Sequence, residues 1–233
     1  MSRWQAVVFD LDDTLYPERE YVRGGFRAVG RWASEALGEA PQDAADELWA
    51  LFESGARKDT FDRWLRTRGL ETEPHRAAMI NAYRRHRPSL APYPDVVPAL
   101  SALRGRVRLG LITEGRRDAQ LAKLEALALE PWFDKIVVMG EEERADWKPS
   151  RVPFDRWLEG GDVPPDAALY VGDNPAKDFR GARGAGWGSL RVRRSDGLHR
   201  SEEHAAPDAQ PDGEIPDLAS LASFLDGVEV RRR

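Results

Sequence analysis

The sequence predicts an α/β protein with a mostly parallel sheet, cut after its first strand by an all-helical insertion. Three observations carry this expectation. Short apolar runs without alternation recur along the chain, as in strands buried on both faces. From about residue 95 these runs alternate with helical patterns, the order that right-handed crossovers produce. Between residues 16 and 88 only helical periodicity is present.

The first strand is the run Ala6-Val7-Val8-Phe9, which ends in Asp10-Leu11-Asp12-Asp13-Thr14-Leu15. Helical spacing then takes over. Val22, Phe26, Val29 and Ala33 share one face, with Gly24-Gly25 expected to interrupt or bend that helix. Ala45, Leu48, Trp49 and Phe52 repeat the spacing, followed by Phe61, Trp64 and Leu65 behind a cap at Asp59 or Thr60. A further helix covers roughly residues 73–86. Pro88, Pro92, Pro94 and Pro98 mark the boundary. A helix over 95–103 leads into a strand at 107–112. A helix over 118–128 follows, with Leu121, Leu124 and Leu127 on its inner side. Then come a strand at 135–138, a helix at 153–158, a strand at 168–171, a helix from Pro175 to Gly184 and a strand at 189–192. Residues 195–216 read as a long polar surface loop. Asp217 caps a final helix that turns Leu218, Leu221 and Leu225 inward, and Arg231-Arg232-Arg233 form a frayed tail.

Composition narrows the functional classes. The 233 residues carry 40 acids against 35 Lys plus Arg, a net charge of −5. That balance speaks against non-specific nucleic-acid binding, which draws on excess positive charge. With no cysteine, disulfides, thiolate metal sites and cysteine nucleophiles are excluded. No run approaches the length of a membrane span, and acids follow the first apolar run too soon for a signal peptide. A cytoplasmic protein without membrane or nucleic-acid partners is the expectation.

Four segments carry candidate chemistry, each at the predicted C-terminal end of a strand. In Asp10-Leu11-Asp12, residues i and i+2 of an extended segment point the same way. Two adjacent carboxylates require a cation or a shared proton, and Mg²⁺ is the natural hard partner. In Leu111-Ile112-Thr113-Glu114-Gly115, a hydroxyl leaves a buried strand beside a glycine turn, a geometry that can bind phosphate oxygens. In Lys148-Pro149 the proline fixes the loop, so the ammonium is held in place. In Gly172-Asp173-Asn174-Pro175-Ala176-Lys177-Asp178, two acids sit beyond a strand like an acidic metal site. Each segment taken singly has an ordinary alternative: Asp12 to Thr14, Thr113, and Asp173 or Asn174 would serve as helix caps, and Lys148 as a solvated lysine.

Taken together, and in this order, the four segments resemble the motifs of the haloacid dehalogenase-like (HAD) superfamily, over nearly the whole chain. The resemblance implies a Rossmann-like catalytic core at 1–15 and 89–233, and a helical cap of the C1 type at 16–88. It implies that Asp10 is the nucleophile, forming an aspartyl-phosphate, and that Asp12 is the general acid and base. Thr113, the main chain at Glu114 and Lys148 would bind the phosphoryl group. Mg²⁺ would be held by the Asp10 carboxylate, the Asp12 carbonyl and Asp173, with Asp178 behind them orienting Lys148 or a metal-bound water. Halide-removing relatives lack the second aspartate of the first motif, so Asp12 favours phosphate chemistry. Glu114 departs from the Asn of many relatives, and is expected to point away or to pair with Arg116 or Arg117.

The resemblance therefore implies a Mg²⁺-dependent phosphomonoesterase acting on a small phosphorylated metabolite. Tyr16, Arg19, Arg23 and Arg27 are candidates for substrate contact, the three arginines lying on one helical face, where a solvated basic stripe is the simpler reading. A sugar-phosphate mutase would use the same Asp10 chemistry. A receiver-like signalling module uses similar residue types but in another order, and a catalytically silent binding protein would not need every catalytic position filled.

Overall fold

The computed structural model describes residues 3–203 and 206–227. The predicted tail at residues 231–233 lies outside them. The chain forms two compact units, one of Met1–Glu18 with Leu90–Arg233 and one of Arg19–Ser89.

The larger unit begins with β1 (Ala6–Phe9), every residue of which is buried. In the smaller unit, α1 (Glu18–Leu37), α2 (Pro41–Glu53), α3 (Thr60–Arg66) and α4 (Glu73–Arg84) follow one another. Phe26 of α1 packs edge-on against Phe52 and Phe61 and meets Tyr83. The predicted interruption at Gly24-Gly25 is corrected, since α1 runs unbroken through both. Their role is close packing. Gly25 is buried against the Tyr83 ring with no room for a Cβ, and Gly24 faces His86.

Beyond the helical unit come α5 (Val96–Leu103), β2 (Arg108–Glu114), α6 (Arg117–Leu127), β3 (Lys135–Met139), α7 (Val152–Leu158), β4 (Ala168–Gly172), α8 (Asp178–Gly184), β5 (Gly188–Val192), β6 (Gly213–Ile215) and α9 (Leu221–Leu225). The strands form one sheet in the order β3-β2-β1-β4-β5-β6, and every pairing is parallel. One face packs Val8, Ile112 and Tyr170 against Phe154, Trp157 and Trp187.

Three further expectations need correction. The polar stretch 195–216 contains β6, a three-residue strand beside β5. Its opening is tied down as well: the Leu198 N–H donates to Asp13 Oδ2 at 2.7 Å, and the His199 carbonyl accepts from Arg191 at 2.8 Å. The helix expected from Pro175 starts instead at Asp178. Residues 174–177 form a turn in which Asn174 Oδ1 accepts the Ala176 N–H at 2.9 Å. On α6, Leu121 is exposed, and the buried stripe is Gln120, Lys123, Leu124 and Leu127. That stripe keeps the i, i+3, i+4, i+7 helical spacing, but two of its members are polar.

Candidate active site

In a doubly wound sheet, ligands bind beyond the strand C-termini where the winding reverses. Here that point lies between β1 and β4, neighbours that lead outward to β2 and β5 respectively. Phe9 is registered against Val171, and the Asp10 N–H donates to the Val171 carbonyl at 2.8 Å. Asp10 and Asp173 therefore leave adjacent strand ends on the two sides of the reversal.

Lys148 joins three of the expected residues, Asp10 and Asp178 through its side chain and Glu114 through its main chain. It does not sit at a strand end as predicted, but in the loop well beyond β3. Its side chain is fully buried. Nζ donates to Asp10 Oδ1 at 2.5 Å, to the Tyr170 hydroxyl at 2.7 Å and to Asp178 Oδ1 at 2.8 Å. All the donors of the ammonium are thus used. Asp178 Oδ2 accepts the Asn174 N–H at 2.8 Å, which ties the loop after β4 to the same cluster. Arg191, fully buried in β5, holds the Asp173 carbonyl at 3.1 Å.

Asp12 has its own surroundings. Lys123 Nζ reaches both carboxylate oxygens, at 2.7 and 2.9 Å. The hydroxyl of Tyr16 donates to Asp12 Oδ1. Tyr16, a candidate for substrate contact, is fully buried, so its polar end serves Asp12. Arg19 pairs with Glu53, Arg23 pairs with Glu20 and lies over Trp49, and Arg27 is exposed, all within the helical unit.

Thr113 is buried, and its hydroxyl donates to Gln120 Oε1 at 3.0 Å. Glu114 corrects an expectation. It pairs with neither Arg116 nor Arg117, which are taken by Asp118 and by Glu142 and Glu143. Glu114 instead turns inward, accepts the Lys148 N–H at 2.8 Å and pairs with Lys177 at 3.0 Å. The acid at this position is thereby neutralised by a cation from the turn before α8.

The electrostatics separate the two carboxylates of the first motif. Burial pushes Asp10 up to about 6; Lys148 opposes the shift, and the nearby Asp178 carboxylate adds to it. Burial also acts to raise Asp12, but Lys123 outweighs it and, with the Tyr16 hydroxyl, holds Asp12 below the usual carboxylate range. Asp173 is raised well above that range by burial and by the Asp178 and Asp10 carboxylates. Lys148 stays firmly protonated: burial works against its charge, but Asp10 and Asp178 more than compensate.

The reading of the sequence missed Lys123, Tyr170, Lys177, Gln120 and Arg191. Two had a signal. Gln120 and Lys123 are polar residues at helical spacing with Leu124 and Leu127, and a polar residue inside a core stripe needs a buried partner. Tyr170 stands in an otherwise apolar strand, and a buried phenol also needs one.

Comparison with known proteins agrees with this architecture. The model of the haloacid dehalogenase-like hydrolases matches residues 4–186. The chain belongs to this family. A glyceraldehyde 3-phosphate phosphatase of Methanopyrus kandleri is 36% identical, over 91% of this chain and 92% of the relative. A phosphoserine phosphatase of Thermus thermophilus is 32% identical, over 93% and 97%. Among solved structures, the magnesium-bound HAD-hydrolase YfnB of Bacillus subtilis superposes with a TM-score of 0.70, covering 96% of this chain and 99% of its own, at 20% identity. That last likeness concerns the fold alone. As an HAD-like hydrolase the chain is an enzyme of α/β type. Among the described residues, no helix is long and apolar enough to cross a membrane.

Proposed function

We propose that the protein is a cytoplasmic, Mg²⁺-dependent phosphomonoesterase acting on a small phosphorylated metabolite, with Asp10 as nucleophile and Asp12 as general acid and base. One observation carries this reading. Two carboxylates two residues apart, Asp10 and Asp12, have separate ammonium partners, Lys148 and Lys123. Each carboxylate is therefore held in its own surroundings and can take a different role.

In this reading Asp12, an anion at rest, takes up a proton from solvent as the substrate binds. Asp10 then attacks phosphorus in line as the ester oxygen departs, and Asp12 delivers that proton to the departing oxygen. Asp12 then takes a proton from the water that attacks the aspartyl-phosphate, and inorganic phosphate and free Asp10 result. Thr113 and the main chain at Glu114 bind phosphoryl oxygens. Lys148 offsets the negative charge that gathers on Asp10 and the phosphoryl group. The helical unit is read as the cap, where Arg23 and Arg27 remain the candidates for contact with the rest of the substrate.

The residues present fit a hard divalent cation. The buried Asp173 carboxylate accepts no hydrogen bond from any described residue and is held well above its usual range by burial and by neighbouring acids. A buried carboxylate in that condition needs a cation. The donor set would be two carboxylates, Asp10 and Asp173, and the Asp12 carbonyl. Asp178 would act behind this set, through Lys148. When bound, Mg²⁺ would supply charge neutralisation for the phosphoryl oxygens.

The two curated relatives above are named for phosphomonoesters of three-carbon compounds, which makes such compounds the first substrates to try. The test is phosphate release from a panel containing these, nucleoside monophosphates and sugar phosphates, with Mg²⁺, with EDTA and with Asp10→Asn. Metal-dependent release lost in Asp10→Asn is the expected result. A folded protein that releases phosphate only when a bisphosphate is supplied would favour a mutase.

A further inference from the structure

A carboxylate that must give and receive a proton in turn has to be aimed as well as ionised. Free rotation about χ1 and χ2 would leave it misplaced for much of the time. The Asp12 carboxylate is constrained from two elements. Lys123 of α6 contacts both of its oxygens, at 2.7 and 2.9 Å, and Tyr16 donates to Oδ1. The ammonium side chain is 5% exposed, so water does not screen the contact, whereas Asp12 itself keeps 22% exposure. One helical turn before Lys123 on the same stripe of α6, Gln120 holds the Thr113 hydroxyl at 3.0 Å. A single helix face thus grips a residue of the first motif and a residue of the second.

We infer that Lys123, with Tyr16, is the positioning residue that aims the Asp12 carboxylate for proton transfer. The inference rests on the proposed role of Asp12 and adds to it a residue that acts through the Asp12 carboxylate. Its chemical consequence is selective. An alkyl phosphate expels a basic alkoxide and needs the proton from Asp12. A dinitrophenyl phosphate expels a stable phenolate and does not. Loss of aim therefore harms the first reaction and spares the second, whereas a loosened fold harms both.

The test measures kcat/KM for an alkyl phosphate substrate and for 2,4-dinitrophenyl phosphate, in the wild type, Lys123→Met, Tyr16→Phe and Asp12→Asn. General acid catalysis contributes roughly 10²–10⁴-fold. Asp12→Asn should lose about that factor on the alkyl ester only. Lys123→Met should show the same split at about ten- to a hundred-fold, and Tyr16→Phe, which removes a single hydroxyl, a smaller one in the same direction. Equal losses on both esters in Lys123→Met and Tyr16→Phe, or no loss on either, would overturn the inference while leaving Asp12 in its role. Absence of a split in Asp12→Asn would instead remove the acid role itself, and the inference with it.

Discussion

Asp10 and Asp12 stand two residues apart on one segment, yet the molecule treats them in opposite ways. Asp10 shares its ammonium: Lys148 is divided among Asp10, Asp178 and Tyr170. Asp12 has a bidentate contact from Lys123, reinforced by Tyr16. Both carboxyls are driven upward by burial, and the outcome depends on how far the local cation compensates. Asp10 ends near 6 and Asp12 falls below its usual range. The difference shows how similar carboxylates on one strand end can be prepared for different work. The shared cation leaves Asp10 under-compensated and ready for a metal, whereas the bidentate one fixes Asp12 as an oriented anion.

The strongest way to break this comparison is to remove one carboxyl charge at a time. Asp10→Asn should lower phosphate release by at least about 10³-fold, because no other group replaces the nucleophile. The fold should persist, since Lys148 keeps Asp178. Release above that level in Asp10→Asn, measured with a coupled phosphate assay, would assign the nucleophile elsewhere.

Removing the cations sharpens it. Lys148→Met strands Asp10 and Asp178 as buried carboxylates and should cost about 3–5 kcal/mol of stability in urea denaturation. Lys123→Met strands a single, partly exposed carboxylate and should cost less, about 1–3 kcal/mol. The reverse order would contradict the distinction between the two sites.

Proton competition gives a third test. In the metal-free protein Asp10 titrates near 6, and a metal must displace that proton. The apparent Mg²⁺ affinity should weaken by at least about tenfold for each pH unit below this value, because Asp173, also raised, must lose its proton as well. Affinity measured by calorimetry that stays constant from pH 7 to pH 5 would remove Asp10 from the donor set.

The smallest effect is expected at Glu114. It is already neutralised by Lys177, and Glu114→Gln keeps an acceptor for the Lys148 N–H. KM should change by no more than about threefold with kcat unaltered. A large fall in kcat would show that the Glu114 charge takes part in holding Lys148.

Legibility in the sequence followed the physics of burial. β1 to β5 were readable because parallel strands buried on both faces are continuous apolar runs. β6 was not, because a three-residue edge strand of Gly213, Glu214 and Ile215 has no such run. The charged residues of the motifs stood out because each interrupts the chain at or beyond the end of an apolar strand. Their partners did not. Lys123 and Gln120 replace apolar members of a helical stripe, so periodicity alone assigned the inner face to Leu121, which is half exposed. Arg191 lies inside a buried strand and acts through the Asp173 carbonyl, a contact that no local pattern encodes. The inward turn of Glu114 was hidden for a related reason: its partners, the Lys148 N–H and Lys177, are brought to it only by the fold.

The most direct test of the central claim is to quench the enzyme in acid during turnover of its best substrate with Mg²⁺, and to map phosphorylation by peptide mass spectrometry. An acid-stable, base-labile phosphoryl group on Asp10 is expected, absent from Asp10→Asn and accumulating in Asp12→Asn when a dinitrophenyl phosphate is the donor. Steady turnover with no phosphoryl-enzyme in either form, or a phosphoryl group on Asp12, would contradict it.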